Sequence, residues 1–361
     1  SQHSLGGRDA APPSLSKPIV ERRAMTVLDD ISNACRAALP RVVLSEGEDP
    51  RIVEAGLRAV REGLARILLV GNEQKIQSLL TGQDRAGDIE IHDPSTSYKL
   101  DSYAAAYLEL RKHKGISPEA ARAAMSSGLG FAAMMLRQGD ADGTIGGAVA
   151  TTADTVRAAL QIIGKAPGAE VVSSCFLMLL QEPFSRPVIF ADCGLILQPN
   201  SEELANIAIA SSQSLKALTG QEPRVAMLSF STMGSVSAEA HESINRIRAA
   251  MAMIKEREPD LIVDGEIQFD AAIVPDIAGK KAPESVLEGH ANVFVFPSLS
   301  AGNIGYKIAH RLGGAISLGP ILQGLAHPAN DLSRGCSAQD VYQMIAITGA
   351  QAAAQINASK A

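Results

Sequence analysis

Side chains able to do chemistry gather most densely in the run Asn330-Asp331-Leu332-Ser333-Arg334-Gly335-Cys336-Ser337-Ala338-Gln339-Asp340. From Ser333 to Asp340, eight residues hold a hydroxyl, a guanidinium and a carboxylate at a glycine-containing turn that opens a helix. Such a turn can supply a hydrogen-bond donor, an anion clamp and a base at one point. A helix N-terminus adds unpaired backbone N–H groups and a positive dipole end. Ser337-x-x-Asp340 also has the form of a capping box with Asp in place of the usual Glu. On spacing alone capping is the commoner role for Asp340, and the catalytic reading stands beside it.

A second stretch, Gly143-Thr144-Ile145-Gly146-Gly147-Ala148-Val149-Ala150-Thr151-Thr152-Ala153-Asp154-Thr155-Val156-Arg157, reads as a strand end, a glycine loop and a helix start. Glycines let backbone N–H groups approach an anion closely, and Arg157 is near enough in the helix to reach back over the loop. The run has neither the GKS/T of a P-loop nor the GxGxxG of a dinucleotide site, which lowers the case for nucleotide hydrolysis and hydride transfer. A tight turn followed by a surface arginine explains the same residues. Arg111-Lys112-His113-Lys114-Gly115 has the ordinary form of a helix C-terminus, with cations in the last turn and glycine beyond it. Ser231 and Thr232, in the loop Ser229–Ser235 after a strand, can bind an anion or an acyl carbonyl, or simply cap the next helix. The acidic runs Glu46/Glu48/Asp49 and Asp264/Glu266/Asp270 lack a suitably spaced histidine, so no metal site is expected.

These residues need positioning elements, and short continuous apolar runs alternating with helical segments provide them. A short helix is expected at about 26–38, then a strand at Arg41–Leu44, a helix with Pro50 in its first turn, and a strand at Arg66–Gly71. That is a parallel βαβ unit whose strands are covered on both faces. A long helical region over about 96–138 breaks near Gly115 and Gly128-Leu129-Gly130. Further strands are expected near 143–146, 187–191, 224–229, 260–263, 292–296 and 315–319, giving an α/β fold. Turn-rich seams at Lys165–Gly168 and Gly319-Pro320 divide it into a discontinuous first α/β domain, 25–167 plus 320–361, and a second, 168–319, with a cleft between them. The last helix, about 338–357, packs back on the first domain.

The chain has 361 residues, 46% apolar and 20% charged, enough for a packed core of one large or two ordinary domains. A net charge of −6 argues against a nucleic-acid surface, while leaving room for anionic small ligands held by two or three arginines. The scattered Cys35, Cys175, Cys193 and Cys336 suit a reducing cytoplasm, and no apolar run reaches the length of a membrane span. Residues 1–24 lack the apolar core of a signal peptide and are expected to form a disordered tail before a natural start at Met25.

Several of these runs are similar to the ordered motifs of the phosphate acetyltransferases within the phosphate acetyl/butyryltransferase family. They are LSEGEDPRIVEA at 44–55, LRKHKG at 110–115, GDADGTIGGAVATTADTVRAALQ at 139–161, PRVAMLSFST at 223–232, DGEIQFDAAIVP at 264–275, AGNIGYKIAHRLGG at 301–314 and GPILQGLAHPANDLSRGCSAQD at 319–340. The resemblance spans about 26–357. It implies two α/β domains of mainly parallel sheets around a cleft, akin to isocitrate and isopropylmalate dehydrogenases, and a homodimer. It implies reversible acetyl transfer between coenzyme A and inorganic phosphate. Coenzyme A is then a substrate, and no cofactor, metal or nicotinamide is retained. Ser333, Arg334 and Asp340 match the family's catalytic serine, arginine and aspartate, and Arg111 and Arg157 its further active-site arginines. Gly146, Thr152, Ser231, Thr232 and Asn303 are the remaining substrate-binding candidates.

On this reading Asp340 takes the thiol proton, which requires burial to raise a carboxyl from about 3.9 toward a thiol near 8.5. Ser333 donates to the developing oxyanion, and the three arginines hold phosphoryl oxygens. The sequence departs from the family where Met233 replaces a common Lys, Leu197 a Pro, and Ser298-Leu299-Ser300 a D-L-N run, which bears on ligand contacts and acyl preference. Alternatives are butyryl or propionyl transfer and a non-catalytic acetyl-CoA-sensing domain such as that attached to some malic enzymes. A metal-dependent hydroxy-acid dehydrogenase is more distant.

Overall fold

The computed structural model describes residues 19–235 and 241–359. In chain order the strands are β1 (Arg41–Leu44), β2 (Arg66–Val70), β3 (Glu90–His92), β4 (Gly143–Gly146), β5 (Ser173–Leu179), β6 (Pro187–Ala191), β7 (Arg224–Leu228), β8 (Ile262–Ile267), β9 (Val293–Val295), β10 (Ile316–Gln323) and β11 (Ala329–Asp331).

Val42, Val43 and Leu44 are fully buried, as suits a strand covered by helices on both faces. Asp49 then caps the helix Pro50–Arg61, its carboxylate accepting from the Arg51 N–H at 2.9 Å, while Pro50 occupies a first-turn position that has no hydrogen bond to lose. That helix returns the chain to β2, parallel to β1 in the register Val42↔Ile67. The first sheet has the order β11-β4-β1-β2-β3, and all its pairings are parallel. From β1 the chain adds β2 and β3 on one side and later β4 on the other. The crevice between the C-terminal ends of β1 and β4 is therefore a topological switch point, where open α/β sheets place their ligands.

The second sheet has the order β10-β5-β6-β9-β7-β8. Its β6–β9, β9–β7 and β7–β8 pairings are parallel, and β10–β5 and β5–β6 are antiparallel. The fold is thus α/β with two mainly parallel sheets.

Several elements differ from the sequence expectation. β5 was not anticipated, although all seven of its residues are buried; a continuous apolar run such as Cys175–Leu180 has no period that separates strand from buried helix. β3 and β11 are three-residue strands too short to leave a pattern. The first helix runs Ile19–Ala38 and so includes part of the expected tail; residues 1–18 lie outside the described residues. Gly319-Pro320, expected as a turn, lies inside β10, where the register against β5 shifts between Leu318 and Ile321. A bulge is where a strand tolerates a residue without an N–H.

β10 and β11 tie the sheets together. The Asn330 Oδ1 accepts from the Leu322 N–H at 2.9 Å, and its Nδ2 donates to Thr348 Oγ1 at 2.8 Å and Gln351 Oε1 at 2.7 Å. One buried amide thus joins β10, β11 and the helix Ala338–Ala358. That helix also packs on Ile19–Ala38 and Pro50–Arg61. At its contact with Ile19–Ala38, a Cβ on Gly349 would lie 2.1 Å from Cys35 Sγ. The Cys35 thiol is buried, donates to the Leu64 carbonyl at 3.1 Å, and is pushed up to about 12 by burial, so it acts as a packing group. Gly349→Ala is expected to destabilise the protein by about 1–3 kcal/mol through overpacking, read as a lower urea midpoint at unchanged m-value.

Candidate active site

Three turns meet at the C-terminal edge of the first sheet, following β1, β4 and β11. The Leu332 N–H donates to the Gly146 carbonyl at 2.8 Å, joining the β11 turn to the end of β4. Arg51 fastens all three. Its guanidinium donates to the carbonyls of Arg334 (2.8 Å), Cys336 (2.9 Å) and Ala148 (2.9 Å), and pairs with Asp49 at 2.8 Å. A planar, permanently charged fork suits this work, because its donors point in fixed directions. The hydrogen bond from Arg51 also holds the Asp49 carboxyl below its ordinary range.

The glycine loop was read as an anion cradle, and it does hold an anion. That anion is Glu46, whose carboxylate accepts from the N–H groups of Ala148 (2.7 Å), Val149 (3.1 Å) and Ala150 (2.7 Å). The other acidic side chains of both runs are engaged as well. Glu48 pairs with Lys75 and Asp270 with Lys281, while Glu266, almost fully buried, accepts two bonds from Arg248. Among the described residues no three His, Cys, Asp or Glu side chains are grouped to hold a metal ion.

Between these turns and the second sheet lies a cavity of about 360 Å³. Thr152, Asp331, Ser333 and Arg334 line its first-sheet wall; Phe176, Gly194, Asn303 and Tyr306 line the opposite one. The Phe176 and Tyr306 rings stack at 4.1 Å between centroids, and the Asn303 Nδ2 donates to the Cys193 carbonyl at 3.0 Å. A neighbouring hollow of about 160 Å³ shares Ser333 and Tyr306 and reaches Asp340. Ser333 and Arg334 are exposed, and among the described residues the Arg334 guanidinium has no ion-pair or hydrogen-bond partner. An unpaired cation beside a hydroxyl is equipped to receive an anion.

The structure therefore gathers Ser333, Arg334, Asp340, Thr152 and Asn303 around two adjoining hollows. Arg111, Arg157, Gly146, Ser231 and Thr232 line neither. Arg157 is exposed and paired with Asp154 at 2.6 Å. Arg111 ends the helix Leu100–Arg111, and its buried Nε has no partner among the described residues. Gly146 lies beneath the glycine loop, where a Cβ would come within 2.4 Å of Ser45 Oγ. Ser231 donates to Glu266 at 3.2 Å and Thr232 to Gln268 at 3.2 Å, closing the β7 turn onto the end of β8.

Asp340 forms the capping box. Its Oδ2 accepts from the N–H and the Oγ–H of Ser337, both at 2.8 Å, and its own N–H donates to Ser337 Oγ at 3.1 Å. It is exposed, so the burial expected of a thiol base is not present here. A capping aspartate must stand at the helix edge, and that position faces solvent.

Asp331 went unassigned in the sequence, although it stands two residues before Ser333. It is fully buried; its Oδ2 accepts from Thr152 Oγ1 at 2.7 Å and its Oδ1 has no hydrogen-bond partner among the described residues. Burial pushes this carboxyl up to about 6. The Glu46 carboxylate adds to the rise, while the Thr152 and Thr155 hydroxyls and the Leu332 amide oppose it. The available signal was an acidic residue ending a buried strand, and its strength depended on recognising the three-residue β11.

A two-sheet α/β chain with a serine, an arginine unpaired among the described residues, and carboxylates at the C-terminal edge of its first sheet has the make-up of an enzyme for an anionic substrate. Comparison with known proteins makes the class definite. The sequence profile of the family described as phosphate acetyl/butaryl transferase matches residues 26–349. A phosphate acetyltransferase of Paracoccus denitrificans is 51% identical over 91% of this chain and 99% of its own length. The phosphate acetyltransferase of Bacillus subtilis is 46% identical over 86% of this chain and 94% of its own. Among solved structures, a phosphotransacetylase from Streptococcus pyogenes superposes with a TM-score of 0.85 at 42% identity, covering 91% of this chain and 98% of that one. The chain belongs to the phosphate acetyl/butaryl transferase family.

For Asp331 the folded-state pKa of about 6 lies above an unfolded value near 3.8. The stability this group contributes is complete below the unfolded value and is lost as pH rises through the folded one. Relative to wild type, Asp331→Asn is therefore expected to gain about 2 kcal/mol on going from pH 4 to pH 8, measured by urea unfolding of both proteins at each pH.

Proposed function

We propose that this chain transfers an acetyl group reversibly between coenzyme A and inorganic phosphate. The carrying observation is the Arg334 guanidinium, unpaired among the described residues, beside the exposed Ser333 hydroxyl in one cavity wall, in a chain 51% identical to a phosphate acetyltransferase. Acyl transfer needs a thiolate, stabilisation of charge developing on the carbonyl oxygen, and a hold on a multiply charged phosphate. Ser333 supplies the donor to the oxyanion. Arg334 forks onto the phosphoryl oxygens, with Arg157 and Arg111 as further cations for the phosphate groups of the two substrates. Asp340, reached by the neighbouring hollow, exchanges the proton of the thiol once bound substrate covers it and supplies the burial that the free site lacks. Thr152 and Asn303 complete the cavity wall, while Gly146, Ser231 and Thr232 act by shaping the turns around it. In this reading coenzyme A is a substrate, and no cofactor or metal takes part.

The setting proposed is the cytoplasm. The four cysteines are free and buried, and among the described residues no helix is long and apolar enough to cross a membrane. The assembly proposed is a homodimer. On the helix Leu299–Arg311 and its C-cap, Ile304, Ile308 and Leu312 stand on one face with exposures of 57, 54 and 85%. Contiguous exposed apolar residues of this kind mark an association surface. Leu312→Asp is expected to shift the protein toward monomer in light scattering; an unchanged mass would move the interface elsewhere.

Activity is tested by giving the purified protein coenzyme A with acetyl, propionyl or butyryl phosphate and following thioester absorbance. Fastest transfer is expected with acetyl phosphate. Ser333→Ala is expected to lower kcat about 10²–10³-fold, the cost of one oxyanion donor. Arg157→Lys is expected to raise the KM for acetyl phosphate with the fold intact. Preference for butyryl phosphate would keep the chemistry and change the substrate. Acetyl-CoA binding without transfer would make the chain a sensor.

A further inference from the structure

We infer that Asp331 and Thr152 form a proton-carrying pair on the phosphate side of the cavity. The inference rests on the acetyl transfer proposed above and assigns the pair to the substrate that Arg334 binds.

The geometry is that of a buried acceptor with a solvent-side intermediary. Asp331 is fully buried at the end of β11, with no cation paired to it among the described residues. Its Oδ2 accepts from Thr152 Oγ1 at 2.7 Å. Among the described residues its Oδ1 has no hydrogen-bond partner, and it lies against Gly147, where a Cβ would come within 2.2 Å of it. Thr152 is exposed, and both residues line the cavity that holds Ser333 and Arg334. A purely structural bond between β11 and the helix Thr152–Ala158 would not need a carboxylate; an amide or hydroxyl would avoid burying a charge.

Thr152 carries one hydroxyl proton, so its direction reports the state of Asp331. When Asp331 is ionised, the hydroxyl points to it and offers lone pairs to the cavity, suited to accept from a P–OH. When Asp331 is protonated, it donates to Thr152, whose hydroxyl then turns to donate to a phosphoryl oxygen. The two states match hydrogen phosphate, which carries a proton, and acetyl phosphate, which does not.

In the acetyl-phosphate-forming direction, an unprotonated oxygen of hydrogen phosphate attacks the thioester carbonyl carbon. A C–O bond forms, the C–S bond breaks, and its electron pair leaves on sulfur. The P–OH proton passes to Thr152 Oγ1 as the hydroxyl proton of Thr152 passes to Asp331 Oδ2. The thiolate takes a proton from water, directly or by way of Asp340, and Asp331 later returns its own to solvent. The reverse reaction runs the same transfers backward. A carboxyl held up to about 6 by burial, with Glu46 adding to the rise from the β1 turn, is closer to phosphate than an ordinary carboxyl is. The other charged or titratable groups of these walls are Arg334, Cys193 and Tyr306 in the same cavity, and His310, Arg311, Cys336 and Asp340 in the next.

The test measures initial rates with acetyl-CoA and phosphate from pH 5 to 8.5, expressed per hydrogen phosphate dianion, for wild type, Asp331→Asn, Thr152→Val and Thr152→Ser. In wild type, kcat/KM for phosphate is expected to fall below about pH 6. Asp331→Asn and Thr152→Val are expected to lose that limb and to fall about 10²-fold at pH 7.5, with the KM for acetyl-CoA nearly unchanged. Thr152→Ser, which keeps the hydroxyl, is expected to keep the limb. Retention of the limb and the wild-type rate in Asp331→Asn or Thr152→Val overturns the relay. If Asp331→Asn does not fold, the Thr152 pair decides. A wild-type protein that transfers no acetyl group in either direction overturns the activity itself, a different outcome from active wild type with unaffected variants.

Discussion

The Arg51 guanidinium is the contact on which the arrangement of the cavity depends. It reaches from the first turn of the helix after β1 to carbonyls in the β4 and β11 turns, and it is itself fixed by Asp49. The turn that carries Ser333 and Arg334 has little regular structure of its own, so its shape is set by where its carbonyls are held. A charged donor to a part-buried carbonyl contributes about 1.5–3 kcal/mol, more than a neutral pair would. Glu46 complements it from the same segment by satisfying three N–H groups of the β4 turn. One short stretch after β1 thus supplies both signs of charge to the turns around it.

This arrangement changes what the glycine-rich loop means. Its backbone donors are aimed at an anion as the glycine pattern suggested, yet the anion is internal. The loop's N–H groups are thus taken, and among the described residues Arg334 is a nearby cation left without a partner. A loop already filled by a carboxylate is also rigid before substrate arrives, which lowers the ordering cost of binding.

Much of this was legible in the sequence. β1, β2 and β6 came from compact apolar runs and β4 from the glycine loop that follows it, and Pro50 and Ser337-x-x-Asp340 announced their helix starts because capping chemistry is local. β5, β3 and β11 were not legible, since a short or uniformly apolar run carries no period, and pairing partners come from elsewhere in the chain. The hydroxyl and guanidinium at Ser333 and Arg334 could be singled out by type and spacing. Asp331 could not, because what distinguishes it is burial and a bond to Thr152, 179 residues away. The roles of Arg51 and Glu46 were hidden for the same reason, as both act on backbone atoms that any sequence would present.

The placement of β11 has a consequence for how the molecule is made. This strand sits at the edge of the first sheet beside β4, yet it follows every strand of the second sheet in the chain. During synthesis, β1 to β4 can pair early, while the edge that receives β11 stays open until the second sheet has emerged. The turn bearing Ser333 and Arg334 is then added by a long-range pairing, the kind that carries the larger loop-closure cost. A partly synthesised chain is therefore without that turn, and presents instead an unpaired β4 edge, which makes the interval before β11 docks the period of greatest exposure to aggregation.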